Sequence, residues 1–347
     1  MKKKLLLSVF LTVAAFLTAC GNSDTSDENQ TNSDNKLTVY TTVYPLQFLA
    51  EEIGGEYASV ETVYPPGANE HTFEPSQKDI VSMAESDLFL YIGYNLEGFV
   101  NNAKSILEKE GVPVIAVGEL ATEGHEHAEE EDADHDHATE EDAHHDHAAT
   151  EEDADHDHAT EEEAATDEHN HDHGDVDPHV WLDPHIMIHM AEAVKDELST
   201  LKPEQEEYFE KNYEEIKTKL ENLDLEFADT IENSPKKKII VSHSAYGYWE
   251  DRYGLEQIAV TGLSNSSEPS QKELQNIMAL AEENNIKYVI FEQNIDSKLT
   301  RIIQEEIGAE ALTLHNLSVL TDKDIAENRD YFSIMHDNLD TLKTALK

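Results

Sequence analysis

Three histidines and one glutamate lie in settings where a folded chain could bring them together around a metal ion. His71 lies in a loop between a predicted strand and a predicted helix, and His179 lies in the segment Asp-Pro-His-Val-Trp-Leu-Asp-Pro. His243 and Glu292 each end an apolar run that predicts a buried strand. Imidazole nitrogens and carboxylate oxygens are ligands that zinc accepts, at about 2.0 to 2.2 Å. Because the chain has a single cysteine, a zinc site built from several cysteines is excluded.

The sequence leaves alternatives for this site open. Glu70 precedes His71 and could support it through a hydrogen bond or replace Glu292, and water could also take that position. His185 and His189 share one face of a predicted helix, but the glutamate of a His-Glu-x-x-His motif is absent and the residues between them resemble core residues. Side chains that we expect to be structural or packed are His315, His336, Tyr246, Tyr248, Trp249 and Tyr253.

Strand-like and helix-like segments alternate in two parts of the chain, which predicts an α/β fold. The predicted strands cover residues 37–43, 60–63, 88–92 and 112–117 in the first part, and 238–242, 257–260, 288–291 and 311–314 in the second. Alternation of this kind implies parallel sheets with helices on both faces. His243 and Glu292 are then expected at the carboxyl edge of one sheet, where open α/β sheets bind ligands.

A repeated segment indicates that the two parts are similar lobes. Glu74-Pro-Ser-Gln-Lys-Asp79 returns as Glu268-Pro-Ser-Gln-Lys-Glu273, and in both copies the serine and the acid three residues later predict a helix start. Helices are also predicted over residues 184–201 and 204–231, and the second could run about 40 Å at 1.5 Å per residue and brace both lobes. A last helix is predicted from about residue 327. Two similar lobes usually place a ligand in the cleft between them.

Residues 119–177 form an acidic, histidine-rich stretch that we expect to be disordered. It holds 26 aspartates and glutamates, 12 of the 19 histidines and no lysine or arginine. Such a composition buries too little apolar surface to offset chain entropy. Its His-Asp-His groups are typical of weak, exchanging metal sites, and a solvated acidic spacer is the alternative. The predicted accessory ligands are His125, His127, His135, His137, His144, His145, His147, His156, His158, His169, His171 and His173.

The start of the chain is typical of an export signal. Three lysines precede an apolar run over residues 5–17 that is too short to span a membrane, and Leu-Thr-Ala-Cys20 resembles a bacterial lipobox. We predict a lipoprotein signal peptide over residues 1–19 and lipidation of Cys20, with a cleaved soluble signal as the alternative. The other predicted boundaries are a flexible tether with the lipidated cysteine at 20–36, the first lobe at 37–118, the acidic stretch at 119–177, the end of the first lobe with the linking helices at 178–236, and the second lobe at 237–347.

The charge of the chain restricts its partners. Its net charge is −51, and without the acidic stretch 49 acidic residues still face 24 basic ones, a net charge of −25. This sign argues against nucleic acid and favours cationic ligands. The sequence contains no Gly-x-Ser-x-Gly elbow, phosphate-binding glycine loop or dinucleotide fingerprint. A binding protein is therefore favoured over an enzyme, and a secreted zinc hydrolase is the alternative.

Several of these motifs together resemble the zinc-binding branch of the cluster A-I (cluster 9) solute-binding lipoproteins of ABC transporters, the ZnuA and AdcA type. The resemblance extends over residues 37–347, which is nearly the whole mature chain. The segments that carry it are Thr42-Val-Tyr-Pro45, Pro65-Pro-Gly67, Glu70-His-Thr-Phe-Glu-Pro-Ser76, Asp177-Pro-His-Val-Trp-Leu-Asp-Pro184, Ser242-His-Ser-Ala-Tyr246 and Ile290-Phe-Glu292.

The resemblance implies both a fold and a function. It implies two similar lobes, each a parallel sheet flanked by helices, joined by a long helix, with Zn²⁺ held in the cleft by His71 and His179 from one lobe and by His243 and Glu292 from the other. Manganese members carry a carboxylate in place of His243, and imidazole suits zinc better than manganese.

The same resemblance implies the partners. The protein is expected to be a lipid-anchored monomer at the outer face of the bacterial cell membrane, without enzymatic activity. It would capture Zn²⁺ and deliver it to an ABC transporter permease and its ATPase. A manganese-binding paralogue, and a surface zinc buffer or adhesin without a transport role, are the alternatives.

Overall fold

The computed structural model describes residues 36–123, 176–263, 269–295 and 297–347, and these form two lobes of the same topology. The first sheet contains β1 (Leu37–Thr41), β2 (Ala58–Thr62), β3 (Leu88–Tyr91) and β4 (Val114–Ala116), and the second contains β5 (Lys238–His243), β6 (Glu256–Thr261), β7 (Tyr288–Glu292) and β8 (Glu310–Leu314). The strand orders are β2-β1-β3-β4 and β6-β5-β7-β8, and all pairs are parallel. The predicted two-lobed α/β fold is confirmed.

Helices connect the strands and join the lobes. The first lobe and the linking region contain α1 (Tyr44–Gly54), α2 (Gln77–Ala84), α3 (Val100–Glu110), α4 (residues 117–123), α5 (Pro184–Leu201) and α6 (Glu206–Glu232). The second lobe contains α7 (Gly247–Tyr253), α8 (Gln271–Glu283), α9 (Lys298–Ile307), α10 (Asp322–Ala326) and α11 (Tyr331–Ala345). Within the part of the chain that the structure describes, no helix is both long enough and apolar enough to cross a membrane.

The end of the chain differs from the prediction. The sequence pattern does not predict α10, and α11 begins at Tyr331 rather than near residue 327. Thr321 and Asp330 each form a capping box, so two helices start where one was expected. Between them Asn328 has a φ of 50°, a left-handed conformation that interrupts a helix.

The repeated segment starts a helix in each lobe, as predicted. The Ser76 hydroxyl accepts a hydrogen bond from the Asp79 amide, and the Asp79 carboxylate accepts one from the Ser76 amide at 2.8 Å. Ser270 and Glu273 form the same reciprocal pair at the start of α8. At each helix start, two backbone amides that have no partner within the helix donate hydrogen bonds to these side chains. This explains why the serine and the acid recur.

The long helix α6 braces both lobes. It packs against α1 and α5 on one side and against α7 and α11 of the second lobe. At about 1.5 Å per residue, its 27 residues span about 40 Å. The buried residues form one apolar stripe, at Phe209, Tyr213, Ile216, Leu220, Leu223, Phe227 and Ile231.

A tight turn after His179 ties the first lobe to the second. Residues Val180–Leu182 form a 3₁₀ turn in which Trp181 is fully buried. The Trp181 indole donates to the Asn316 carbonyl at 2.7 Å, and the Tyr331 hydroxyl donates to the Trp181 carbonyl at 2.8 Å. The Trp249 indole donates to the Leu182 carbonyl at 2.7 Å. Three hydrogen bonds from the second lobe therefore hold the turn that follows His179.

Both ends of the predicted acidic stretch belong to the folded part of the protein. Residues 119–123, which we predicted to be disordered, are helical, and the Glu119 carboxylate accepts a hydrogen bond from the Tyr94 amide at 2.8 Å. Asp177, at the other end, is bonded to His179. Residues 124–175, with all twelve predicted accessory histidines, lie outside the described residues, as do the predicted signal peptide and Cys20.

Candidate metal centre

Three histidines converge where the two lobes meet. His71, His179 and His243 each offer a ring nitrogen, and these three atoms lie within 4.8 Å of one another. Their ring centroids are 5.1 to 5.9 Å apart. His179 and His243 are fully buried, and the side chain of His71 is 9% exposed. We call these residues the histidine triad. The structure therefore brings together three imidazole groups that the sequence predicted as ligands, and imidazole is a group that zinc accepts.

The elements of the fold hold His71 and His243 in place. His71 lies in the loop after β2, where Oδ1 of Asn69 accepts hydrogen bonds from the His71 amide at 3.1 Å and from the Thr72 hydroxyl at 3.2 Å. His243 is the last residue of β5, an inner strand between β6 and β7. It therefore emerges at the carboxyl edge of the sheet, as the strand pattern predicts.

The Asp177 carboxylate orients the ring of His179. Its Oδ1 atom lies 2.7 Å from Nδ1 of His179 and accepts a hydrogen bond from the His179 amide at 3.0 Å. A carboxylate at Nδ1 retains the proton there, so Nε2 presents its lone pair to the triad. The second lobe supports Asp177 in turn, since the Tyr248 hydroxyl donates to the Asp177 carbonyl at 2.8 Å. Gly247 leaves room for the carboxylate, because a Cβ atom there would lie 2.6 Å from Oδ2.

Glu292 lies beside the ring of His243. The two residues end the neighbouring strands β7 and β5, and the Glu292 carboxylate contacts Nδ1 of His243. The other ring nitrogen, Nε2, lies 3.3 Å from Nε2 of His179. The Asp177 carboxylate keeps the proton of His179 on Nδ1, so the lone pair of His179 Nε2 faces this gap.

Burial lowers the pKa of two histidines of the triad, His71 and His243. Desolvation, followed by the nearby His179, lowers the pKa of His71 to about 4. Desolvation also holds the pKa of His243 well below its ordinary value, with smaller contributions from the other two histidines. Among the described residues, Nε2 of His71 has no hydrogen-bond partner. A buried ring nitrogen without a hydrogen-bond partner is unusual in a folded protein and fits a metal ligand.

The structure places the two candidate carboxylates differently. Glu70 is 2% exposed, and its Oε1 lies 3.9 Å from Nε2 of His71 and accepts a hydrogen bond from Asn316. Desolvation raises the pKa of Glu70. Glu292 lies at the ring nitrogen of His243 that faces away from His179. Both carboxylates adjoin the triad, and the choice of Glu292 as fourth ligand stays a prediction.

The competing histidines lie outside the triad. The rings of His185 and His189 contact each other on α5, with centroids 5.3 Å apart. Nε2 of His315 lies 3.2 Å from an Asp324 oxygen, and its Nδ1 accepts a hydrogen bond from a backbone amide. His336 is half exposed and pairs with an acid on α6. The aromatic residues of α7 pack as predicted, with Trp249 and Tyr253 against Phe227 and with Tyr246 buried.

The sequence interpretation missed two residues that support the site. Asp177 lies two residues before His179, and an acid at that spacing is a signal that could have identified it. Asn316 reaches Glu70 from a loop 246 residues away, and no local pattern indicates that contact.

The sequence and the fold match one family of known proteins. The family described as zinc-uptake complex component A, periplasmic, with the short name ZnuA, matches residues 39–345. This chain belongs to that family. The ZnuA family thus covers both lobes and every residue of the triad.

Relatives in the ZnuA family include proteins of two genera. The chain is 33% identical over 342 residues to the zinc-binding lipoprotein AdcA of Streptococcus pneumoniae. This alignment covers 98% of this chain and 60% of that protein. It is 32% identical over 340 residues to the high-affinity zinc uptake system protein ZnuA of Bacillus subtilis, and this alignment covers 97% of each of the two chains. This chain spans about 60% of the length of the streptococcal relatives.

A solved structure shows the same fold. The crystal structure of the Zn(II)-bound ZnuA-like domain of Streptococcus pneumoniae AdcA has a TM-score of 0.66 and 28% sequence identity, and covers 90% of this chain and 99% of that chain. The two-lobed architecture is thus that of the ZnuA family.

Proposed function

We propose that this protein captures Zn²⁺ between its lobes and delivers it to an ABC-type zinc importer. The observation that carries the proposal is the 3.3 Å gap between Nε2 of His179 and Nε2 of His243. In a tetrahedral zinc site with Zn–N bonds of about 2.0 to 2.1 Å, two nitrogens lie about 3.3 to 3.4 Å apart. The gap therefore matches one edge of a zinc tetrahedron, and His71 supplies a third nitrogen.

The proposed ligand set favours binding over catalysis. His71, His179 and His243 would hold the ion with Glu292 as fourth ligand, and Glu70 or water are the alternatives for that position. Four protein ligands close the coordination sphere, whereas a catalytic zinc needs an open position for water. In this proposal zinc is cargo, and the protein catalyses no reaction.

The donor atoms also bear on metal choice. Three imidazoles favour zinc over manganese, which prefers carboxylate and carbonyl oxygens. Because the pKa values of His71 and His243 are depressed, few protons compete with the metal near neutral pH. This supports zinc capture over the manganese-binding alternative.

The proposed partners follow from family membership. The zinc uptake system protein of Bacillus subtilis, to which the chain is similar over 97% of both lengths, supports a permease and an ATPase as partners. The streptococcal relative is a lipoprotein, which supports a lipid anchor at Cys20 on the outer face of the cell membrane. We propose that the protein acts there as a monomer.

The acidic histidine-rich stretch is proposed to raise the zinc supply of the site. Its flanks lie beside the triad, since Gly118 adjoins Val180 and Asp177 is bonded to His179. Weak sites tethered there would increase the local concentration of zinc at the cleft. Transfer of zinc to the triad should slow when residues 124–175 are replaced by a short Gly-Ser linker.

Zinc binding and uptake by matched variants test the proposal. The mature wild-type chain, His179→Ala and the exposed control His336→Ala are titrated with zinc and manganese against a chelator, and radioactive zinc uptake is followed in cells that carry each variant. We expect His179→Ala alone to lose tight binding and uptake. Uptake that persists without tight binding in His179→Ala would contradict the proposal.

A further inference from the structure

The loop after β8 contains one buried asparagine, Asn316, that is hydrogen-bonded to three segments of the site. Asn316 is 2% exposed, and each of its polar groups is hydrogen-bonded. Its backbone amide donates to Gln293 at 3.0 Å, and its carbonyl accepts from the Trp181 indole at 2.7 Å. Its side-chain Oδ1 accepts a hydrogen bond from the side-chain Nε2 of Gln293 at 2.8 Å, while Nδ2 donates to Oε1 of Glu70 at 3.1 Å.

Besides Ser318, which bonds Oδ1 of Asn316 within the same loop, Asn316 has three partners that are close chain neighbours of residues at the candidate metal centre. Two of these three lie in the first lobe or its linking turn, and one lies in the second lobe. The pairs are Glu70 with His71, Trp181 with His179, and Gln293 with Glu292. A shift of this one residue would therefore displace three segments of the site together.

The bond to Glu70 is the one that reaches closest to the triad. Glu70 is almost fully buried, and a buried carboxylate needs donors to replace its lost water. Asn316 supplies such a donor from the second lobe. The oxygen that receives it lies 3.9 Å from Nε2 of His71, close enough for its negative charge to attract a cation at the triad.

The loop that carries Asn316 is held in a strained conformation. Leu317 has a φ of 60° and is fully buried, although a bulky side chain disfavours the left-handed region. The Ser318 carbonyl accepts a hydrogen bond from the Tyr44 amide at the start of α1, at 2.9 Å. Such strain persists only where surrounding contacts determine the backbone, and it is common at functional sites.

We propose that Asn316 is a positioning residue for metal capture, which fixes Glu70 beside the histidine triad and ties it through Gln293 to the second lobe. The inference rests on the proposed zinc binding. Asn316 does not touch the metal, so it acts through Glu70. Replacing its amide donor by a carboxylate, as in Asn316→Asp, sets two acids against each other and moves Glu70 away.

Exchanging the donor and the acceptor of the hydrogen bond between Asn316 and Glu70 tests whether Asn316 acts through Glu70. Zinc affinity of the mature chain is measured by chelator competition for wild type, Asn316→Asp, Glu70→Gln and the double variant. We expect Asn316→Asp to bind zinc about tenfold more weakly, as is typical when a residue behind a metal ligand is lost. In the double variant the new amide faces the new carboxylate, so its affinity should lie within about twofold of that of Glu70→Gln alone.

Two further variants separate positioning from general destabilisation. Asn338→Ala is the matched control, because Asn338 is also 2% exposed and bonds the neighbouring His315 backbone. It should lower the thermal stability of the metal-free protein and leave zinc affinity within about twofold. If Asn316→Asp does not fold, Asn316→Ser removes the same donor without adding charge and should weaken binding in the same direction.

The outcomes distinguish this inference from the proposed function. Three results would each overturn the positioning role while wild-type binding stays tight: unchanged affinity in Asn316→Asp, a double variant that binds zinc about tenfold more weakly than Glu70→Gln alone, or an equal loss in Asn338→Ala. Absence of tight zinc binding in the wild type would instead refute the proposed function.

Discussion

Nε2 of His179 and Nε2 of His243 lie 3.3 Å apart, although the two residues are 64 positions apart in the chain. Each ring has a carboxylate at its other nitrogen, from Asp177 and Glu292. The bond to Asp177 leaves the lone pair of His179 Nε2 pointing into the gap between the two rings. In the proposed site the ion would enter this gap with little reorganisation of the two rings.

Loss of a triad histidine should abolish tight zinc binding. We expect His243→Ala to weaken zinc affinity by more than about 100-fold, which exceeds the loss typical of a residue behind the ligands. His336→Ala, at a half-exposed histidine outside the triad, is the control and should leave affinity unchanged. Calorimetric titration measures both, and a comparable loss in the two variants would argue against a specific role for His243.

The Asp177 carboxylate should set the tautomer of His179. Asp177→Asn removes the acceptor at Nδ1, so we expect zinc affinity to fall about 10- to 100-fold. Nitrogen NMR of the metal-free protein should show the His179 proton on Nδ1 in wild type and a mixture of tautomers in the variant. The same mixture in wild type would show that Asp177 does not orient the ring.

The space that Gly247 leaves beside the Asp177 carboxylate should also affect zinc affinity. A Cβ atom in Gly247→Ala would lie 2.6 Å from Oδ2 of Asp177, so the carboxylate must move. We expect zinc affinity to fall without the loss of any ligand. Gly98→Ala is the matched control, because a Cβ atom there meets nothing within 4 Å. Equal zinc affinities for the two variants would contradict this account.

The buried His71 should make the metal-free protein less stable in mild acid. Its pKa is about 4 in the folded protein and near 6.5 when exposed, so the unfolded state binds more protons between these values. This contribution is absent above about pH 6.5, and it lowers the free energy of unfolding as the pH falls, by up to about 3 kcal/mol near pH 4.

Comparison with His71→Gln isolates this effect. Buried carboxylates with raised pKa values, such as Glu70, change stability in the opposite direction and are common to both proteins. The wild type should therefore lose more stability than the variant between pH 7 and pH 4.5 in urea unfolding. Identical pH profiles would show that His71 is not kept neutral by burial.

The repeated capping boxes should contribute equally to the two lobes. Ser76→Ala and Ser270→Ala each remove one helix cap, and we expect each to lower the free energy of unfolding by about 1 kcal/mol. The two sites lie in different lobes, so their effects should add. Urea unfolding with a zinc titration checks both points, and a change in zinc affinity would count against a purely local role for these caps.

Much of the fold could be predicted because it depends on local pattern. The alternation of strand-like and helix-like segments predicts each of the eight described strands. The predicted ends of these strands differ from the observed ends by up to two residues. The capping signal predicts the starts of α2 and α8. The same approach fails at residues 119–123, where charge predicts disorder but contacts such as that of Glu119 with Tyr94 hold a helix.

The candidate site was predictable in its residue types but not in its contacts. The ends of β5 and β7 place His243 and Glu292 at one sheet edge, as parallel topology requires. Which nitrogen of His243 the Glu292 carboxylate faces depends on side-chain geometry that no local sequence pattern specifies. The bond between Asn316 and Glu70 joins distant parts of the chain, so only the folded structure reveals it.

Calorimetric zinc titration of the mature protein with residues 124–175 replaced by a short linker tests the central claim most directly. This protein lacks the twelve accessory histidines and keeps the triad and its carboxylates. We predict one tight zinc site per chain, lost in the same protein carrying His179→Ala. A linker protein without a tight site, or one that keeps it in His179→Ala, would contradict zinc capture by the histidine triad.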